Sequence, residues 1–238
     1  MIYLLVALAI AGISTASPVA LRSTYPPTSV SQGFVLIANV TDLSKNFSPS
    51  INGWKVEGVH IGAGLDTATL NADSGRVFFE NATLENGHYI VNSSLITDGG
   101  LYPYGISLVP ISSDLPDSDY LDYVGINIGT GSREVGIRPF PVPYPEVYTT
   151  DRGTFVVCIE PDPTYGRPPF PVRFAKSHFD GADEIQPIPE GCVPINLLAQ
   201  CAILPPVQDG AAYDHENAQT VRCYDDVSAI DWTQYAQW

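Results

Sequence analysis

The chain has 238 residues, 45% hydrophobic, 11% aromatic and 16% charged, with a mean hydropathy of +0.05. That gives room for one large domain or two small ones with a real core, and it excludes wholesale disorder. A formal charge of −15 and a pI near 4.3 argue against a nucleic-acid partner or any other phosphate-binding surface.

Residues 1–11, MIYLLVALAIA, form an apolar run too short to span a bilayer, which needs about 20 residues. Small residues follow, and Ser14 and Ala16 suit the −3 and −1 positions of a signal-peptidase site. Residues 1–16 therefore read as a signal peptide. The chain is then secreted, to the extracellular space or cell wall, with no membrane association after signal removal. Residues 17–32 are rich in Pro, Ser and Thr and read as an extended segment.

From Gly33 onward, short apolar runs alternate with Gly, Pro, Asn and Asp clusters. Strands are predicted at 34–38, 55–61, 76–80, 89–97, 105–109, 123–128, 154–159 and 172–175. Helical periodicity is nearly absent before residue 176. The fold class is all-β, an antiparallel sandwich or barrel over residues 33–176. Alternation assigns some faces. Tyr89, Val91 and Leu95 face the core and Asn92 faces away. Val77 and Phe79 point one way, while Arg76, Phe78 and Glu80 point outward. Val124, Ile126 and Ile128 line one side, with Asp122 at its exposed start. Phe155, Val156, Val157 and Ile159 are apolar on both sides and mark a central strand. In the first strand Asn39 shares a face with Val35 and Ile37, so that face must become exposed near Asn39.

Four N-x-S/T sequons, at Asn39, Asn46, Asn81 and Asn92, offer glycan acceptors on a eukaryotic secretory route. The one at Asn46 is the weakest, because Pro49 follows Ser48. Residues 138–146, RPFPVPYPE, suit an extended connection packed across a sheet edge better than a polyproline ligand. Residues 162–169 read as a rigid hairpin loop.

Residues 177–238 carry ten acidic side chains and one basic one, Arg222. They read as a short acidic extension packed on the β-domain, with short helices predicted at 195–202 and 227–235. The four cysteines, Cys158, Cys192, Cys201 and Cys223, all fall late in the chain and suggest two disulfides. Cys158–Cys192 with Cys201–Cys223 leaves both loops un-nested and is preferred to Cys192–Cys201 with Cys158–Cys223. Their spacing does not suit zinc.

No catalytic constellation stands out. The G-x-S-x-G, H-E-x-x-H, P-loop and G-x-G-x-x-G patterns are absent, and the four histidines sit in no motif. No catalytic, cofactor-binding or metal-binding residue is assigned. Asp114, Asp117, Asp119 and Asp122 offer oxygen ligands that a calcium ion would accept, but a solvated acidic loop explains them as well. Trp54, Tyr102, Tyr104, Tyr120, Tyr144, Tyr148 and Tyr165 lie near predicted turns, where aromatic faces can stack on sugars or simply close the core.

Several stretches resemble a family of secreted proteins of filamentous fungi with no established function. They are Asn52-Gly-Trp54, His60-Ile-Gly-Ala-Gly-Leu65, Leu95-Ile-Thr-Asp-Gly-Gly100, Phe155-Val-Val-Cys158, Pro189-Glu-Gly-Cys-Val-Pro-Ile-Asn-Leu197, Cys201-Ala202 and Val221-Arg-Cys-Tyr224. The resemblance implies a secreted β-rich domain and no particular activity. The expected function is non-catalytic: binding, or a part in the cell wall or matrix, with wall polysaccharide or an extracellular protein as partner. A secreted effector or antigen-like protein and a glycan-active enzyme are the alternatives.

Overall fold

The computed structural model describes residues 25–85, 88–89, 93–111, 120–133, 135–139, 142–159 and 170–235. The expected signal peptide, the sequon at Asn92, the carboxylates from Asp114 to Asp119 and the loop 162–169 with Tyr165 lie outside them. Ten strands form the main antiparallel sheet: β1 (Gly33–Val40), β2 (Lys55–Gly62), β3 (Leu65–Asn71), β4 (Val77–Asn81), β5 (Ser94–Asp98), β6 (Pro103–Pro110), β7 (Leu121–Ile128), β8 (Gly153–Cys158), β9 (Val172–Lys176) and β10 (Cys192–Ala202).

Eight of them close into a barrel in the order β1-β4-β5-β6-β7-β9-β8-β10 and back to β1. Among the described residues, closure leaves the eight-stranded barrel itself without an open sheet edge. The β2–β3 hairpin joins β1 to β7 by a second route. β1 pairs with β4 at Gly33–Val35 and with β2 at Ile37. β7 pairs with β9 through 121–123 and with β3 through 125–127.

Period-two alternation fills the interior. Phe34, Leu36, Ala38 and Val40 of β1 meet Phe78, Leu95, Ile106, Val124, Ile126, Phe155, Phe174, Ile195 and Leu197 in one core. The lumen is packed with side chains and does not form a ligand cup.

The outer surface has apolar patches too, and the chain after β10 covers them. Ile37 and Leu198 lie under Tyr224, Val227 and the partly buried Trp232. Phe79 and Ile96 lie under Ala218 and Leu204. The covering segment is pinned at three places. Val221–Cys223 pairs with the short strand Ser29–Ser31. Single 3-10 turns at Val227–Ala229 and Trp232–Gln234 are capped by the Asp226 and Asp231 carboxylates, which accept from the Ser228 and Thr233 amides. Disulfides join Cys158 to Cys192 and Cys201 to Cys223, the un-nested pairing. Among the described residues no helix is long and apolar enough to cross a membrane.

Seven of the eight predicted strands coincide with observed ones, while the run predicted at 89–97 is met only over 94–97, since His88–Tyr89 pairs with Leu84–Glu85 in a separate hairpin; several other details are corrected. Residues 195–202 are not helical; they belong to β10, which runs between β1 and β8. The barrel therefore does not end at residue 176, and only the chain beyond Ala202 is an outer covering. The 227–235 segment holds two 3-10 turns in place of a helix. Phe78 points into the core and Glu80 is buried with it, so the outward assignment of that face is reversed. Asp122 is buried because Lys176 Nζ meets its carboxylate at 2.9 Å. Asn39 is only 8% exposed, because the face it shares with Ile37 is covered and not open. A glycan there would have to displace its surroundings, while Asn46 and Asn81 keep partial exposure.

Candidate functional site

A two-stranded hairpin, Val135–Ile137 paired with Val147–Thr149, is added to the barrel wall. Its loop is the Pro-rich stretch, whose prolines lack the N–H groups that a longer ladder would need. The Ala199 amide donates to the Pro145 carbonyl at 2.8 Å, and Glu146 forms an antiparallel bridge with Leu198. The described part of the stretch is thus a connection packed on β10, a strand paired on both sides, and not across the sheet edge that its composition suggests.

On one side of this hairpin lies an open polar groove of about 290 Å³. Two ion pairs flank it. Arg138 Nε meets Glu146 Oε1 at 2.7 Å, and Arg152 Nη1 meets Glu184 Oε2 at 3.2 Å. Arg152 also lies over the Phe179 ring at 5.2 Å. Between the pairs, Tyr148, Thr149, Gln186 and Asn196 supply neutral hydrogen-bonding groups. Asn196 faces Asn39 across the β1–β10 ladder, which places the buried sequon residue beside the groove. Burial raises the Glu146 carboxyl above its ordinary value, and Arg138 only partly opposes this.

Beyond the same hairpin is a second cavity, also about 290 Å³, lined by Glu80, Ile137, Arg138 and Arg222 among others. Glu80 is 2% exposed. Its carboxyl accepts from Ser93 and from the Ile137 amide, yet burial dominates and pushes it from 4.5 up to about 7. The backbone can approach this closely because residue 136 is glycine. A Cβ there would stand 2.5 Å from Ser93 Oγ, 2.7 Å from Glu80 Oε1 and 3.0 Å from a Tyr148 ring carbon. Gly136→Ala is expected to lower stability by about 1–3 kcal/mol through overpacking. A urea midpoint unchanged from the parent chain would contradict that reading.

The other sequence candidates are scattered. Trp54 packs on Phe170, and Tyr144 is buried against Tyr25 and Trp232. Tyr104 is half-buried, leaving Tyr102, at 53% exposed, as the one open ring among the described members of that set. They do not assemble a stacking platform. His215 Nε2 meets Asp98 at 3.1 Å and its ring meets Phe79 edge to face, so it anchors the covering segment. Asp122 is taken up by Lys176. Among the described residues no group of three or more His, Cys, Asp or Glu side chains is placed to hold a metal ion.

Arg138, Glu146, Glu80 and Arg222 are therefore the residues that sequence reasoning passed over. Two weak signals were present. Arg138 and Glu146 bracket the Pro-rich stretch, and Arg222 is the single basic residue after 176.

Comparison with known proteins places this architecture. Residues 31–201 match the family model described as domain of unknown function DUF7907. That span runs from just before β1 to the end of β10, so it coincides with the barrel and stops before the covering segment. The chain is 35% identical over 228 residues to the "Antigenic protein SchS34" of Stachybotrys chartarum, covering 92% of this chain and 99% of that one. No solved structure is significantly similar. A barrel coincident with the matched span, together with a full-length fungal relative, identifies the chain as a member of the DUF7907 family.

Proposed function

We propose that this chain is an extracellular, non-catalytic binding protein whose groove beside the Arg138–Glu146 pair takes a neutral polysaccharide. The observation that carries this reading is the internal pairing of the groove's charges. With Arg138 paired to Glu146 and Arg152 to Glu184, four of the five charged side chains of the groove are offset, Asp151 being the fifth, and the rest of the surface presents neutral hydrogen-bonding groups. That chemistry suits hydroxyl-rich ligands. The −15 charge of the whole chain disfavours acidic glycans. A secretory signal, two disulfides and a relative named as an antigenic protein support exposure outside the cell.

A glycan-cleaving enzyme needs two carboxyl groups facing one substrate. Glu146, Asp151 and Glu184 all line the groove, but Glu146 is held by Arg138 and Glu184 by Arg152, which leaves Asp151 as the one groove carboxylate outside an ion pair among the described residues. This favours binding over hydrolysis.

The test is retention of the purified chain on arrayed neutral and acidic wall polysaccharides, with released sugar assayed in the same wells. Retention on neutral polymers without release is expected. Asn196→Ala and Gln186→Ala should each weaken it by about 0.5–1.5 kcal/mol, the usual value of one hydrogen bond. Release of sugar, or retention indifferent to both substitutions, would overturn the reading.

A further inference from the structure

The second cavity is a separate matter from the groove. Its walls are apolar where Val30, Ile137, Pro139 and Val221 line it. Its polar groups are Glu80 from β4, Arg138 from the hairpin, and Thr220 and Arg222 from the covering segment. Arg222 and Val30 are register partners in the short ladder, so they stand on one side of it. Val221 and Cys223 take the opposite side and are buried in the core.

Arg222 is the unusual member. Its Nη2 donates to the Val142 carbonyl, and among the described residues no carboxylate pairs with it. Its Nε is buried with no hydrogen-bond partner. A buried guanidinium donor left empty costs free energy, more than a neutral donor would. The burden is notable in a chain with 26 acidic and 11 basic residues, where carboxylates are abundant. Arg138, by contrast, has its charge offset by Glu146. The cavity therefore combines one uncompensated cation on its wall, whose unused Nε donor is buried behind it, with a buried carboxyl and aliphatic lining.

We propose that this cavity binds a small organic monocarboxylate, its carboxylate on the Arg222 guanidinium and its apolar body against Val30 and Pro139. The size is at the lower end of small-molecule sites. The planar fork of an arginine matches a carboxylate, and the aliphatic walls favour an acid with a hydrocarbon body over a bare inorganic anion. Glu80 sits on the same cavity and sets the pH at which an anion is accepted. Protonated, it is neutral and tolerates the ligand; ionised, it repels it. The other groups around it are Arg138 of the hairpin, offset by Glu146, the Tyr148 ring, and Arg222 of the covering segment. An arginine keeps its charge throughout the working range, so Arg222 favours the ligand at every pH, and the change with pH is assigned to Glu80, the carboxyl on the cavity wall.

The experiment titrates the intact secreted chain with sodium benzoate near pH 5 and near pH 8, following heat and the Arg222 Nε–H resonance. Saturable one-to-one binding is expected near pH 5, with the Arg222 signal shifting. Near pH 8 it should be weaker by about tenfold or more, as expected for adding one nearby like charge in a partly buried site. Arg222→Gln should abolish it, and Arg222→Lys, which keeps the charge but removes the Nε–H, should weaken it strongly. The lysine variant keeps the test open if the glutamine variant does not fold. Glu80→Gln should retain binding and lose its pH dependence. Inorganic phosphate and sulfate form the comparison arm and should bind much more weakly. No saturation at either pH, binding unchanged in both Arg222 variants, or phosphate binding as tightly as benzoate would each overturn the proposal.

Discussion

Glu80→Gln is expected to stabilise the chain at neutral and alkaline pH and to leave it nearly unchanged in mild acid. The sign follows from where the proton sits. In the unfolded chain the carboxyl titrates near 4.5, and in the folded barrel burial raises it to about 7. Between these values the folded state holds a proton that the unfolded state has released. The stability Glu80 provides is therefore fully present below 4.5 and is lost as pH rises through about 7. A raise of about 2.5 pH units corresponds to about 3 kcal/mol at 1.36 kcal/mol per unit. Glutamine imitates the protonated acid in shape, and its carbonyl still accepts from the Ile137 amide. Between about pH 5 and pH 8 the parent should therefore lose most of that 3 kcal/mol more than the glutamine chain does, since Glu146, also raised by burial, contributes alike to both. Urea midpoints across the range provide the measurement, and parallel curves for the two chains would show that Glu80 does not titrate in this way. The exposed caps Asp42, Asp226 and Asp231, all lowered by hydrogen bonds to a neighbouring hydroxyl and amide, act only at lower pH and leave this window clear.

That the same residue reads as an outward surface carboxylate in the sequence shows what alternation can and cannot resolve. Along β4, Val77, Phe78, Phe79, Glu80 and Asn81 alternate correctly, but either face could be the core. The choice of Phe79 as inward rests on Glu80 preferring water. The structure keeps Glu80 dry by placing Ser93 and the Ile137 amide against it, and neither is near it in the chain. Asp122 is the same case, because Lys176 lies 54 residues away. β3 escaped notice for a related reason. Asp66, Thr67 and Thr69 are all buried and interrupt its apolar pattern. Asp66 is held by Arg76 at 2.5 Å and His60 at 3.3 Å, and Thr69 donates to the Phe170 carbonyl.

The opposite error occurs in β10. Leu197, Leu198 and Ala199 are consecutive and apolar, which resembles a helix more than a half-buried strand. Leu197 and Ala199 face the interior, while Leu198 faces outward beneath Tyr224 and Val227. A covering segment makes both faces apolar, and the sequence does not announce which later residues do the covering. The all-β class and most of the strands are local properties and are legible, as is the un-nested disulfide pairing; β3 and β10 are not. The groove and the cavity are built by a hairpin, β4, β10 and the covering segment together. Only the charged brackets of the Pro-rich stretch and the isolation of Arg222 hint at them.

The covering segment also decides how the two disulfides differ. Removing Cys201–Cys223 as a pair of alanines frees a loop of 22 residues, for which chain entropy gives about 3 kcal/mol, or a drop of about 6–12 °C in Tm for a chain of this size. Cys158–Cys192 closes 34 residues and should cost a similar amount by the same reckoning. The location of the damage should not be similar. Cys158 and Cys192 are direct partners in the β8–β10 ladder, where neighbouring backbone hydrogen bonds continue to hold the strands together. Cys201–Cys223 instead fastens the covering segment to the end of β10, with the Cys201 amide donating to the Tyr224 carbonyl beside it. Its loss should loosen the segment locally and expose Ile37, Leu198, Phe79 and Ile96 before the barrel opens. Hydrogen exchange distinguishes the two outcomes. Without Cys201–Cys223, the amides of residues 218–235 should lose protection well ahead of β1 and β8. Without Cys158–Cys192, protection should fall together across the barrel. Uniform loss in both variants would mean that the covering segment and the barrel unfold as one unit, and that the apolar cover, not the disulfide, fastens the outer layer.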